Sequence, residues 1–213
     1  MKMRLIFFII TISSLHAQVG SISGTIPLPE GKASIVPIGK YRGKISGKVN
    51  SPPPIIAGVW LESNKISAPK APTNVTLSQQ NYQFSKHLII ISKGATVYFP
   101  NEDPDYHNIY SLSKPKRFDL GRYKKGEMPI PQVTFNKTGY LNLNCEIHNH
   151  MKANIIVVDS PYFTTTSDSG RFKLSNIPSG EYTIHAQLDA KTKWETVITV
   201  KANQITSAQF PEK

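Results

Sequence analysis

The chain is short of cysteine, of acidic residues and of helical periodicity. Its 213 residues include a single cysteine, Cys145. That excludes an intramolecular disulfide framework and any zinc site built from cysteine alone. Charged residues make up only 18 %, with 14 acidic against 25 basic, a formal charge of +11. A chain with 39 % hydrophobic residues and so few charges lacks the charge-rich, apolar-poor composition of disordered proteins, and its length allows one or two modest domains. No apolar run approaches the roughly 20 residues that a membrane-crossing helix needs. Almost no stretch repeats its apolar residues at the 3.6-residue period of an amphipathic helix.

What is present begins with Lys2 and Arg4 ahead of an uncharged apolar run, Leu5 to Ile12, followed by small residues up to Ala17. Residues 1–17 therefore read as a secretory signal peptide. Its removal after Ala17 would leave 25 − 2 = 23 basic and 14 acidic residues, net +9, in a protein expected in the bacterial periplasm. No cysteine follows the apolar run, which argues against a lipid anchor. Beyond it, short β-branched or aromatic runs recur between Gly, Pro, Asn and Ser, and predict an all-β sandwich. The expected strands cover 76–84, 87–92, 96–101, 107–113, 133–135, 140–147 and 153–158.

After Pro161 the composition shifts. Thr164 to His185 contains the turn signals Ser169-Gly170 and Pro178-Ser-Gly180 between alternating strand segments. This stretch resembles the carboxypeptidase regulatory-like, transthyretin-like β-sandwich, whose opening strands look like Gly43-Lys-Ile-Ser-Gly-Lys-Val49 and Ala57-Gly-Val-Trp-Leu61. The expected organisation is an N-terminal extension over 18–42, opening strands over 43–65, a central domain over 75–160 and a closing sandwich over 161–213. The second, smaller sandwich is thus either split around the central domain or simply in tandem with it. Gly20-Ser-Ile-Ser-Gly-Thr-Ile26 echoes residues 43–49, one copy being a spare edge strand, and Ser63 to Thr73 reads as a surface linker.

In the central domain Asn142 and Asn144 alternate with Leu141, Leu143 and Cys145, so a period of two turns the thiol inward with the leucines. Past the strand come His148 and Met151, giving Cys145-x2-His148-x2-Met151. His107, in Tyr106-His-Asn-Ile109, begins an upstream strand and is a fourth candidate ligand. Softness selects the metal: thiolate and thioether favour copper, and two imidazoles with one thiolate and a weak thioether make a trigonal blue-copper set, whereas zinc prefers a tetrahedral set without thioether. His150 competes with His148 as the second imidazole, and Glu146 is a harder oxygen donor that would displace Met151 in a different kind of site. Taken alone, an inward cysteine is an ordinary small apolar residue; the joint pattern is what singles it out.

These motifs resemble the cupredoxin family, most of all its amicyanin-like members with a short ligand loop, over roughly residues 75–160. Together with Phe99-Pro-Asn101 and Phe118-Asp-Leu-Gly121 they look like periplasmic proteins described as methylamine-utilisation-like. The resemblance implies a Greek-key sandwich holding one type 1 copper ion, with His107, Cys145 and His148 as equatorial ligands, Met151 as axial ligand and Asn108 hydrogen-bonding near the cysteine loop. Family members commonly place Pro between the second His and Met, where this chain has Asn149-His150.

The run Lys114 to Lys125 contains six basic residues and one acidic one. It reads either as a solvated loop or as a patch that steers an acidic redox partner. No nucleic-acid motif is present, and no grouping of nucleophile, base and orienting residue suggests an enzyme. The expected role is one-electron transfer; the alternative is copper handling, or a cell-envelope interaction module that uses the domain as a scaffold.

Overall fold

The computed structural model describes residues 18–29, 54–64 and 73–211. The expected signal peptide, the Gly43–Val49 segment and most of the 63–73 linker lie outside them. The described chain is all-β, as its sequence patterning implies, and its strands stack into two layered cores.

The first core lies between a five-stranded sheet and a three-stranded one. The five-stranded sheet runs Leu88–Ser92, Lys152–Val158, Gly139–Cys145, His107–Ser111 and Phe118–Tyr123, and the three-stranded sheet runs Gln132–Thr134, Thr96–Tyr98 and Asn74–Thr76. Ile89, Ile91, Val97, Val133, Phe135, Leu141, Leu143, Ile155 and Val157 fill the space between them. On Gly139–Cys145 the alternation works as the sequence suggests: Leu141, Leu143 and Cys145 are buried and Asn142 is exposed. One expectation fails here. The strand expected over 76–84 is broken into a hairpin, Gln79–Gln80 with Gln83–Phe84, because Asn81 and Tyr82 take left-handed backbone angles. Within the basic run, Phe118–Tyr123 forms a strand at the edge of the large sheet, paired with His107–Ser111, and five of the six basic residues lie in the segments on either side of it.

The second core joins the sheet Arg171–Pro178, Val19–Thr25, Ile205–Ala208 to the sheet Phe163–Thr165, Gly58–Glu62, Gly180–Gln187, Lys193–Val200. Ile22, Val59, Leu61, Phe172, Leu174, Ile184, Trp194 and Ile198 meet inside it. Val19–Thr25 is hydrogen-bonded on both sides, antiparallel to Arg171–Pro178 and parallel to Ile205–Ala208. It is a central strand, where the sequence alone suggested an extension or a spare edge.

A third apolar cluster lies where the two cores meet. Trp60 packs on Leu88, Ile156 and Val158, which leave the outer face of the five-stranded sheet. Gly58 permits the approach: a Cβ there would stand 2.5 Å from Ile156 Cδ1. This explains why Leu88–Ile91 and Ile155–Val158 are continuously apolar instead of alternating, since a strand covered on both faces has no solvent side to mark.

Candidate metal centre

Three elements converge at one end of the first core. His107 opens its strand, Cys145 closes the adjacent one, and His148 sits in the loop between Cys145 and Met151. That loop is held shut by two backbone bonds, Cys145 N–H to the Met151 carbonyl at 3.3 Å and Met151 N–H to the His148 carbonyl at 2.8 Å. Local closure of this kind brings candidate donors three residues apart to one point without help from distant contacts. His107 arrives from about forty residues upstream through antiparallel pairing, Cys145 opposite Ile109.

The Nδ1 atoms of His107 and His148 are 3.1 Å apart, and each lies 3.8 Å from Cys145 Sγ. A single ion at about 2.0 Å from nitrogen and about 2.3 Å from sulfur spans a triangle of that size. His107 and Cys145 are buried and His148 is half-buried. Met151 is fully buried in the same apolar cluster as Cys145.

Asp103 orients His107. Its Oδ2 accepts from Nε2 at 2.9 Å, which fixes the ring with Nδ1 turned toward the sulfur. The same carboxylate takes the backbone N–H of Asn81 at 2.7 Å and of Tyr82 at 3.0 Å. Behind it, Asp103 N–H donates to Asn101 Oδ1, the Asn101 amide donates to the Asp105 and Tyr123 carbonyls, and Tyr123 donates to Gln79 Oε1. These buried polar groups satisfy one another, which keeps the network rigid.

The electrostatics favour a soft donor set. Burial alone would raise the Cys145 thiol, but the His107 ring and the backbone N–H groups of Asn108, His148 and Ile147 point at sulfur and bring its pKa below the ordinary value. Burial opposes charging of His107, yet the Cys145 sulfur and Asp103 together pull that imidazole above its usual range. Burial, then the His107 and His150 rings, push His148 down, outweighing Asp105 and Asp103. These shifts ease formation of the thiolate on Cys145 and of the neutral ring on His148, and an ion held by His107 would compete with the proton that Cys145 and Asp103 favour there.

The other sequence candidates fall in different places. His150 Nε2 bonds the Tyr82 carbonyl at 3.0 Å and is engaged outside the triangle. Glu146 points to solvent, paired with Arg122 at 3.2 Å. Asn108 donates its side-chain amide to Asp119 on the edge strand and its backbone N–H to Cys145. The sequence reading missed Asp103, Asp105 and Tyr82. A signal existed, since Glu102, Asp103 and Asp105 place three of the chain's 14 acidic residues within four positions, just ahead of His107.

No family model and no curated protein matches the chain. Solved structures that it resembles include a copper-containing nitrite reductase from Thermus scotoductus SA-01, 28 % identical over 39 % of this chain and 22 % of that one, TM-score 0.37. Amicyanin from Paracoccus versutus is 21 % identical over 47 % of this chain and 97 % of its own, TM-score 0.36. A purple cupredoxin from Nitrosopumilus maritimus is 22 % identical over 40 % of this chain and 99 % of its own, TM-score 0.35.

Proposed function

We propose that this chain binds one copper ion at His107, Cys145, His148 and Met151 and carries single electrons in the bacterial periplasm, without turning over a substrate. The observation that supports this reading is the convergence of two imidazole nitrogens and one sulfur within 3.8 Å of one another, a soft set suited to copper. Copper bound there would supply a reversible one-electron couple. The protein's part is to keep the donors still: Asp103 holds the His107 ring, three backbone N–H groups hold the Cys145 sulfur, and two backbone bonds hold the loop that carries His148. A donor set held this firmly rearranges little when the charge on the ion changes. The half-buried edge of His148 is the natural contact for a redox partner, and the basic residues from Lys114 to Lys125 fit an acidic one.

The same reading divides the chain into a cupredoxin-like domain over 75–160 and a regulatory-like sandwich split around it, a division supported by the pairing of Val19–Thr25 and Gly58–Glu62 with strands after residue 161.

Copper analysis with an optical spectrum of the exported protein tests this reading. The expected result is one retained ion, an intense thiolate-to-copper band and reversible bleaching by one electron. Cys145→Ser should abolish the band; a band of unchanged colour in that variant overturns the proposal. Ready release of copper on reduction would favour copper handling over electron transfer.

A further inference from the structure

The hairpin Gln79–Phe84 turns on Asn81 and Tyr82, at φ 55° and 57°. Asparagine tolerates these left-handed angles; a tyrosine seldom adopts them, and such outliers persist where the surroundings enforce them, most often at functional sites. Here the enforcement is visible at every group of Tyr82. Its N–H donates to the Asp103 oxygen that also takes His107 Nε2. Its carbonyl accepts from His150 at 3.0 Å, and its hydroxyl donates to Asp105 Oδ2 at 2.6 Å. Its ring stands edge-on to both imidazoles of the metal centre, 5.3 Å from His148 and 6.1 Å from His107, inclined at 74° to each. One strained residue is therefore fastened at its N–H, carbonyl and hydroxyl, with its ring against both imidazoles.

Resting on the reading of His107, Cys145 and His148 as copper ligands, we propose that Tyr82 determines which small molecules reach the metal, its ring closing the imidazole side of the site against small anions. The ring does the excluding, and the hydroxyl, tied to Asp105, fixes its angle. Asp103 couples the shield to the ligand, because the carboxylate that orients His107 also holds the backbone of the turn.

Azide added to the copper(II)-loaded full-length protein is the probe, followed by optical and electron paramagnetic resonance spectra. Wild type and Tyr82→Phe, which both keep the ring, should show no new azide-to-copper absorption. Tyr82→Gly removes the ring, while glycine accepts the turn's backbone angles without strain. It should bind azide about tenfold more tightly or better, the scale on which groups packed around metal ligands act. Asp103 and Asp105 remain in all variants, so their repulsion of anions cancels from the comparison. Azide binding equal in wild type and Tyr82→Gly overturns the proposal, as does Tyr82→Phe behaving like Tyr82→Gly. If neither Tyr82→Gly nor Tyr82→Asn, which also suits a left-handed turn, retains copper, Tyr82 is a structural support and the proposal falls. A wild-type protein without a thiolate-to-copper band, seen before azide is added, defeats instead the reading on which the proposal rests.

Discussion

The two layered cores of this chain use the same materials differently. Both are lined by Ile, Leu, Val and aromatic side chains between twisted sheets. Among the described residues, those before Ser160 that are polar and buried are Gln79, Ser92, Asn101, Asp103, His107, Asn108 and Ser111, whereas from Ser160 onward they are Ser160, Thr166 and Gln187. Burying polar groups is costly unless they are mutually satisfied, so their concentration in one core calls for a reason beyond folding. The buried polar chain ends on the ring of His107, and the proposed copper site supplies that reason, the orientation of a donor atom. Among the described residues the second core shows no comparable chain, and its contribution is packing, including the cover that Trp60 provides over the outer face of the first.

The largest expected effect breaks the second core and leaves the first alone. Ile184 is fully buried on Gly180–Gln187, a strand paired on both sides. Ile184→Ala should cost about 2–5 kcal/mol of folding stability through lost burial and the cavity left behind. Thermal unfolding should register that loss, while the thiolate-to-copper band keeps its position. A shifted band would mean that the second core shapes the donor geometry, and the contrast between the cores would fail.

How far the sequence alone reaches follows the same contrast. His148 and Met151 are legible because they share one loop with Cys145, and local spacing is what a sequence displays directly. His107 is legible through its place at the head of a strand. The pairing of strands near 20 and 60 with those beyond 161 is only half visible, because pairings such as Ile22 with Leu174 span more than a hundred residues and leave no local mark. Phe118–Tyr123 is hidden by its charges, which edge strands tolerate and loops share. The turn at Tyr82 is hidden for a stronger reason: local preference argues against it, and groups distant in the chain, Asp103, Asp105 and His150, hold it. The departures thus have one cause in both cores: contacts between residues far apart in the chain override local preference, as several do at Tyr82 beside the candidate metal centre.

A middle-sized effect sharpens the comparison inside the first core. Asp103 offers two acceptor oxygens, one to Asn81 and one shared by Tyr82 and His107, and Asp103→Asn leaves one. Copper affinity, measured by competition with a chromophoric chelator, should fall about 10- to 100-fold. The pH dependence has a defined sign. Asp103 helps hold the His107 imidazole above its usual pKa, and the ring proton competes with metal at every pH below that value. Without the negative charge the pKa falls, so the acid decline of copper affinity should begin at lower pH even as the plateau drops. An unchanged plateau with an unchanged acid limb would show that the carboxylate is incidental.

The smallest effect concerns a polar contact beside the site that is not buried. Arg122 and Glu146 pair at 3.2 Å and 3.3 Å, with side chains 62 % and 56 % exposed. Water competes for both partners, so Glu146→Ala should alter stability by less than about 1 kcal/mol. Glu146 adjoins Cys145 in the chain, and a carboxylate that swung inward would add a hard oxygen to the donor set and change the copper spectrum on removal. With the carboxylate engaged by Arg122 on the surface, the band and the paramagnetic signal of Glu146→Ala should match wild type. A spectral change there would place Glu146 among the donors, and would show that proximity to the cysteine, rather than burial, decides which polar groups of this core matter.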